Sequence, residues 1–157
     1  MLSIYETFCK GKDAPARMLT CYIEEAHAKD EWHFPNSAVT LDFNAEIAVH
    51  RSIDERIAAA KLFKERTNTH CLEVVCDSME GHLVQRYDAW PERLYIIVDG
   101  VVVYRGGVGP FDYRLDEVRQ RLQERFNPQK QQLLSSGSQS VAPAEGVGWR
   151  IVMAVFG

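Results

Sequence analysis

The chain has 157 residues, 46% of them hydrophobic and 25% charged, proportions of one soluble globular domain that exclude a second full domain, a wholly disordered or collagenous chain, and a membrane-embedded one. A formal charge of -4 and a pI of 5.7 provide no basic field for phosphates, so nucleic acid is not an expected partner. Cys9, Cys21, Cys71 and Cys76 form neither a Cys-X-X-Cys nor a zinc pattern, so no metal is expected and a reducing, intracellular compartment is the default.

No run approaches the roughly 20 apolar residues of a membrane helix, so the chain as given is expected to be cytoplasmic, with no membrane segment. Residues 18 to 24 carry the β-branched, aromatic and apolar types of a buried strand that ends where charges begin. The run Tyr22-Ile-Glu-Glu-Ala-His27 leaves that strand and puts two carboxylates and an imidazole where open α/β sheets gather ligands. Beside Glu25, His27 could exchange a proton near neutrality; on composition alone a structural loop pair is the simpler reading. Ser52-Ile-Asp-Glu55 is a capping box, and Ile53, Ile57, Ala60 and Phe63 predict one apolar helix face behind it. Residues 71 to 76 predict a second strand. Leu94 to Val98 and Val101 to Tyr104 predict a hairpin about Asp99-Gly100. Leu115, Val118, Leu122 and Phe126 recur at helical spacing until Asn127-Pro128 blocks continuation.

Strand, helix, strand, hairpin, helix is the order of a thioredoxin-like α/β sandwich, a parallel and an antiparallel pair sharing one mixed sheet. Residues 1–126 would form that domain. Residues 127–157, with Ser135-Ser-Gly-Ser-Gln-Ser140, read as a disordered tail, and the apolar Ile151 to Phe156 end reads as a chance C-terminus rather than a docking segment.

Matches in collinear order tie Leu19 to Phe126 to one family. They are Tyr22-Ile-Glu-Glu-Ala-His27 with Asp30 and Trp32, His50-Arg-Ser-Ile-Asp-Glu-Arg56, Pro91-Glu-Arg-Leu-Tyr-Ile-Ile97, and Tyr104-Arg-Gly-Gly with Gly109-Pro110. With these the chain strongly resembles the iodothyronine deiodinases, thioredoxin-like selenoenzymes that remove iodine reductively from thyroid hormones. The resemblance implies that His27 is the proton-transferring histidine beside the reacting chalcogen and Glu25 its acidic relay neighbour. It implies that His50 contacts the substrate phenol and that Glu92 lines the pocket beneath the amino-acid end. It further implies an iodothyronine substrate, no bound cofactor, a thiol reductant as cosubstrate, a homodimer through Leu19 to Trp32, and a membrane anchor if the full-length form carries the family's N-terminal helix.

The chain departs from the family pattern in three places. Lys29-Asp-Glu31-Trp32 replaces the flexible glycine of the family loop with a charged side chain, and Val108 stands where vertebrate members carry a cation. The family nucleophile, selenocysteine or cysteine, precedes a helix whose latter part residues 1–8 resemble, so this chain begins after it. Cys9 and Cys21 do not replace it by position, and Cys71 and Cys76, five apart in a strand, lie on opposite faces. The strand that would lie centrally, between residues 18–24 and 93–98, is then absent too, and weak, non-cooperative unfolding is expected. The reading is a truncated deiodinase-like oxidoreductase, inactive as given. Its alternatives are a thioredoxin- or peroxiredoxin-like reductase of another small substrate, or a non-catalytic dimerising isoform.

Overall fold

The computed structural model describes residues 1–31, 47–126 and 149–155. Helix α1 (Leu2–Phe8) leads into strand β1 (Arg17–Tyr22), and helix α2 (Ile53–Arg66) crosses over to strand β2 (Glu73–Cys76), which runs parallel to β1. The short helix α3 (His82–Tyr87) precedes the hairpin of β3 (Arg93–Val98) and β4 (Val101–Arg105), and helix α4 (Leu115–Phe126) follows.

Helix α2 begins as its sequence requires: the Ser52 hydroxyl accepts from the Glu55 N–H at 3.3 Å, and the Glu55 carboxylate accepts from the Arg51 N–H at 2.6 Å. Asp54 and Glu55 then face the positive end of the helix dipole, and Lys64 and Arg66 the negative end. Its buried face keeps Ala60 and Phe63 of the expected one and loses the two isoleucines. Arg56, Ala59, Ala60 and Phe63 point inward, while Ile53 and Ile57 are 42% and 36% exposed. The Arg56 guanidinium donates to the carbonyls of Asp77 and Ser78 at 3.1 and 2.5 Å, and burying it beside two alanines turns the isoleucines outward.

The hairpin forms as predicted. Asp99 and Gly100 both adopt left-handed backbone, φ 50° and 82°, the two-residue turn whose twist matches that of the strands. The register shifts once, between Ile96 and Ile97. Helix α4 packs Val118 and Leu122 into the core, and its Glu117 accepts from the Tyr104 hydroxyl at 2.9 Å while Arg121 lies 4.5 Å over the Tyr104 ring. Ile4 and Phe8 of α1, Phe63 of α2, and Met18, Tyr22, Leu94 and Ile96 of the sheet complete one cluster. Helix α3, which no sequence pattern announced, covers the other sheet face over Leu19, Cys21, Val75 and Tyr95.

Two expectations are corrected at the centre of the sheet. Its strand order is β2-β1-β5-β3-β4, and β5 is Trp149–Val155, part of the segment read as a disordered tail. β5 runs parallel to β1, pairing Arg17 with Arg150 through Tyr22 with Val155, and antiparallel to β3, pairing Arg93 with Ala154 through Val98 with Trp149. The position expected to lack a strand is therefore filled, and β1 and β3 are neither exposed edges nor closed on each other. A continuous apolar run is the pattern of a strand flanked on both sides, and it shows no period to detect. The rest of the expected tail, 127–148 and 156–157, lies outside the described residues.

Candidate functional site

Strand β1 carries Tyr22 to its end with the side chain fully buried, and the chain turns so that Glu25 comes back beneath it. The Tyr22 hydroxyl donates to Glu25 Oε1 in a short hydrogen bond. His50 Nε2 approaches the same oxygen at 3.8 Å, and the Tyr22 and His50 rings lie 5.9 Å apart. Two backbone ties bring His50 there: the Lys29 N–H donates to the Ile47 carbonyl and the Val49 N–H to Asp30 Oδ1, both at 2.8 Å. The segment ahead of α2 is thus pinned over the loop that follows β1.

Burial dominates the electrostatics of this cluster. It pushes the Glu25 carboxyl up to about 7 against the lowering effect of the Tyr22 bond. It holds His50 below the usual imidazole value, helped by the nearby Arg56 charge. Both groups are driven toward their neutral forms, so the 3.8 Å contact is a carboxyl beside a neutral ring and not a standing ion pair. Glu25 Oε2 and both His50 nitrogens are buried without a hydrogen-bond partner among the described residues. A carboxyl titrating near neutrality between a phenol and an imidazole can pass a proton in either direction. His27 lies half-buried farther along the same loop, and an open cleft of about 510 Å³ runs beside His50 between Asp30, Val49, Arg51 and the α2 residues Ala58 and Leu62.

Glu92 precedes β3 at the same end of the sheet, because Arg93 and Tyr22 pair with the adjacent β5 residues Ala154 and Val155. With one strand between them, β1 and β3 stand two strand spacings apart, about 10 Å. The Glu92 carbonyl accepts from the Gly109 N–H at 3.0 Å, and burial pushes its carboxyl up to about 7. Its neighbour Arg93 pairs with Asp88 at 3.1 Å. In the segments on either side of the Glu92–Gly109 contact, Trp90 and Val108 are each 43% exposed and Phe111 93%.

Cys9, Cys21 and Cys76 lack the setting of an activated thiolate. Burial pushes Cys9 up to about 11 and Cys21 up to about 12, and raises Cys76 as well. Cys21 faces the cavity under α3, on the opposite side of the sheet from Tyr22, and Cys71 is exposed.

Residues 3–126 match the family model of the iodothyronine deiodinases. The chain belongs to the iodothyronine deiodinase family. It is 42% identical over 103 residues to the type I iodothyronine deiodinase of Xenopus laevis, covering 66% of this chain and 37% of that protein. It is 40% identical over 111 residues to the thyroxine 5-deiodinase of Bos taurus and 39% identical over 111 residues to that of Rattus norvegicus, covering 71% of this chain and 34% of each. The chain spans about a third of the length of these deiodinases.

Within this deiodinase-family domain, sequence reasoning named Glu25, His27, His50 and Glu92, and the structure brings Glu25 and His50 into contact. Tyr22 stood in that reading as the first residue of the motif ending at His27, with no role given to its hydroxyl. An aromatic hydroxyl three positions before a carboxylate at a strand end was the available signal. Trp32 lies outside the described residues.

Proposed function

We propose that this chain carries the proton-transfer and substrate-binding part of an iodothyronine deiodinase, an oxidoreductase that removes iodine reductively from thyroxine-type substrates with a thiol as cosubstrate. The observation that carries the reading is the Tyr22, Glu25 and His50 cluster at the end of β1, whose carboxyl titrates near neutrality in a family whose named relatives are deiodinases. In this reading a chalcogen nucleophile that these residues do not include attacks iodine and the carbon–iodine bond breaks, Glu25 and His27 deliver to the carbon the proton the chalcogen gives up, the thiol cosubstrate then reduces the chalcogen–iodine bond to release iodide and is itself oxidised to a disulfide, and His50 meets the substrate phenol in the adjoining cleft. Glu92 lines the pocket beneath the amino-acid end. The mixed sheet with a parallel β1-β2 pair and the β3-β4 hairpin supports a thioredoxin-like architecture.

The exposed Val108, with no cation at that place, favours a second reading, a reductase of another small oxidant on the same scaffold. Assaying a full-length protein that includes the upstream nucleophile on thyroxine and on peroxide separates the two. In that protein His27→Ala is expected to lower deiodination by about 10² to 10⁴ with the fold intact; activity within twofold of wild type rejects its role. The homodimer through Leu19 to Trp32 is likewise a proposal. It would rest on Glu24, Lys29, Asp30 and Glu31, the exposed members of a segment whose other described residues are buried or half-buried. No described helix is long and apolar enough to cross a membrane.

A further inference from the structure

Helix α3 covers a face of the sheet without filling the space beneath it. Leu19, Cys21, Val75 and Tyr95 make the floor, Leu83 and Ala89 belong to the roof, and a cavity of about 100 Å³ lies between them. It is on the side of the sheet away from the core cluster, because Met18 and Tyr22 of β1 enter that cluster while Leu19 and Cys21 face the cavity. No residue of α3 is itself buried. Protein interiors hold few voids larger than a water molecule, so an apolar space of this size calls for an explanation.

The helix is tied to the sheet at its two ends. At its start Gly81 turns the chain with φ 70°, and the buried Asp77 carboxylate accepts from the Leu83 N–H at 2.9 Å and the Val84 N–H at 3.0 Å. At its other end Asp88, with φ 49°, accepts from Arg93 at 3.1 Å and from Arg105, while the Tyr95 hydroxyl donates to the Tyr87 carbonyl. That last bond occupies the one hydroxyl among the floor side chains. The floor therefore offers a guest carbon and the soft, polarisable sulfur of Cys21.

We propose that the space under α3 is a binding site for a small, uncharged, apolar molecule, with α3 as its lid. A charged or strongly polar guest would give up its water there and find no side chain on the floor to replace it. An apolar cavity of about 150 Å³ stays dry and takes benzene or xenon. At about 100 Å³ this one takes an atom the size of xenon with the lid as it stands, and a benzene ring only as α3 lifts. Lifting works against the tie that Asp88 makes to the two arginines. Glu25, His50 and Glu92 do not line the cavity, so the site stands apart from the functional reading above.

The test is an NMR titration of the full chain with xenon and, separately, with benzene. Xenon is expected to shift the methyl signals of Leu19, Val75, Leu83 and Ala89 saturably and to leave those of Ile4 and Leu122, in the core cluster on the other face, in place. Val75→Phe puts a ring into the cavity from the edge strand β2 and should abolish those shifts. Wild-type shifts that are absent, or spread equally over both faces, overturn the site without any variant; shifts that persist unchanged in Val75→Phe overturn it as well. Asp88→Asn removes the charge that holds Arg93 and Arg105, and should tighten benzene by about two- to fivefold while xenon binding stays the same. Benzene affinity that does not rise relative to xenon overturns the lid.

Discussion

Glu25 holds its proton because the fold takes it out of water, and that has a measurable sign. Its carboxyl titrates at about 7 when folded against an ordinary 4.5, so between those values the folded chain binds a proton that the unfolded chain releases. Stability from this group is full below about 4.5 and declines as pH climbs through 7. His50 works the other way: its folded value is lowered, so its cost grows as pH falls below the ordinary imidazole value. Comparing wild type with Glu25→Gln isolates the carboxyl, because His50 and Glu92 are common to both. The melting temperature of wild type relative to Glu25→Gln is expected to fall steadily from pH 4.5 to pH 7.5; a constant difference would show that Glu25 is not buried as a neutral acid. Glu25 stood out in sequence as an acid at a strand end, but the imidazole read beside it was His27, and the structure sets His50 against it. That pairing was not legible, because His50 reaches Glu25 through the Asp30 tie to Val49, a contact that no local spacing encodes.

Helix α2 shows what pattern reading gets right and wrong within one element. Its start was legible, because a capping box and dipole-matched charges act within a single turn. Its buried face was legible only in Ala60 and Phe63, because Arg56 entered the interior to serve carbonyls at the end of β2, a tertiary demand that outweighs the placement of two isoleucines. The hairpin was legible for the same local reason as the cap: Asp99-Gly100 selects its own turn. Arg56→Ala is expected to cost about 3 kcal/mol, since it removes charge-assisted bonds and leaves the Asp77 and Ser78 carbonyls unmet. Chemical denaturation of the two proteins measures this, and a loss under about 0.5 kcal/mol would mean that water replaces the guanidinium. Ile57→Ala, on the exposed side, should change little by comparison.

At the scale of the molecule, five strands make one sheet whose middle is β5, so the case for an unstable chain with a missing centre loses its premise. Val152 pairs with Leu19 on one side and Tyr95 on the other. Val152→Pro removes a ladder donor from a strand hydrogen-bonded on both sides and is expected to cost about 3 kcal/mol or more, so that wild type should melt cooperatively and the variant should not. A variant melting within 2 °C of wild type would place β5 outside the sheet. The order of assembly also follows from where the middle strand comes from. The hairpin closes over two residues and the capped helix over a single turn, so both can form early and cheaply in chain entropy. The central ladders join Arg17 to Arg150 and Arg93 to Ala154, the first a closure across most of the chain and the second across more than a third of it, and both must be made before β1 and β3 belong to one sheet. Glu25 follows one of those strands and Glu92 precedes the other, so each half can take shape early, but the width between them is set only by this last and slowest closure.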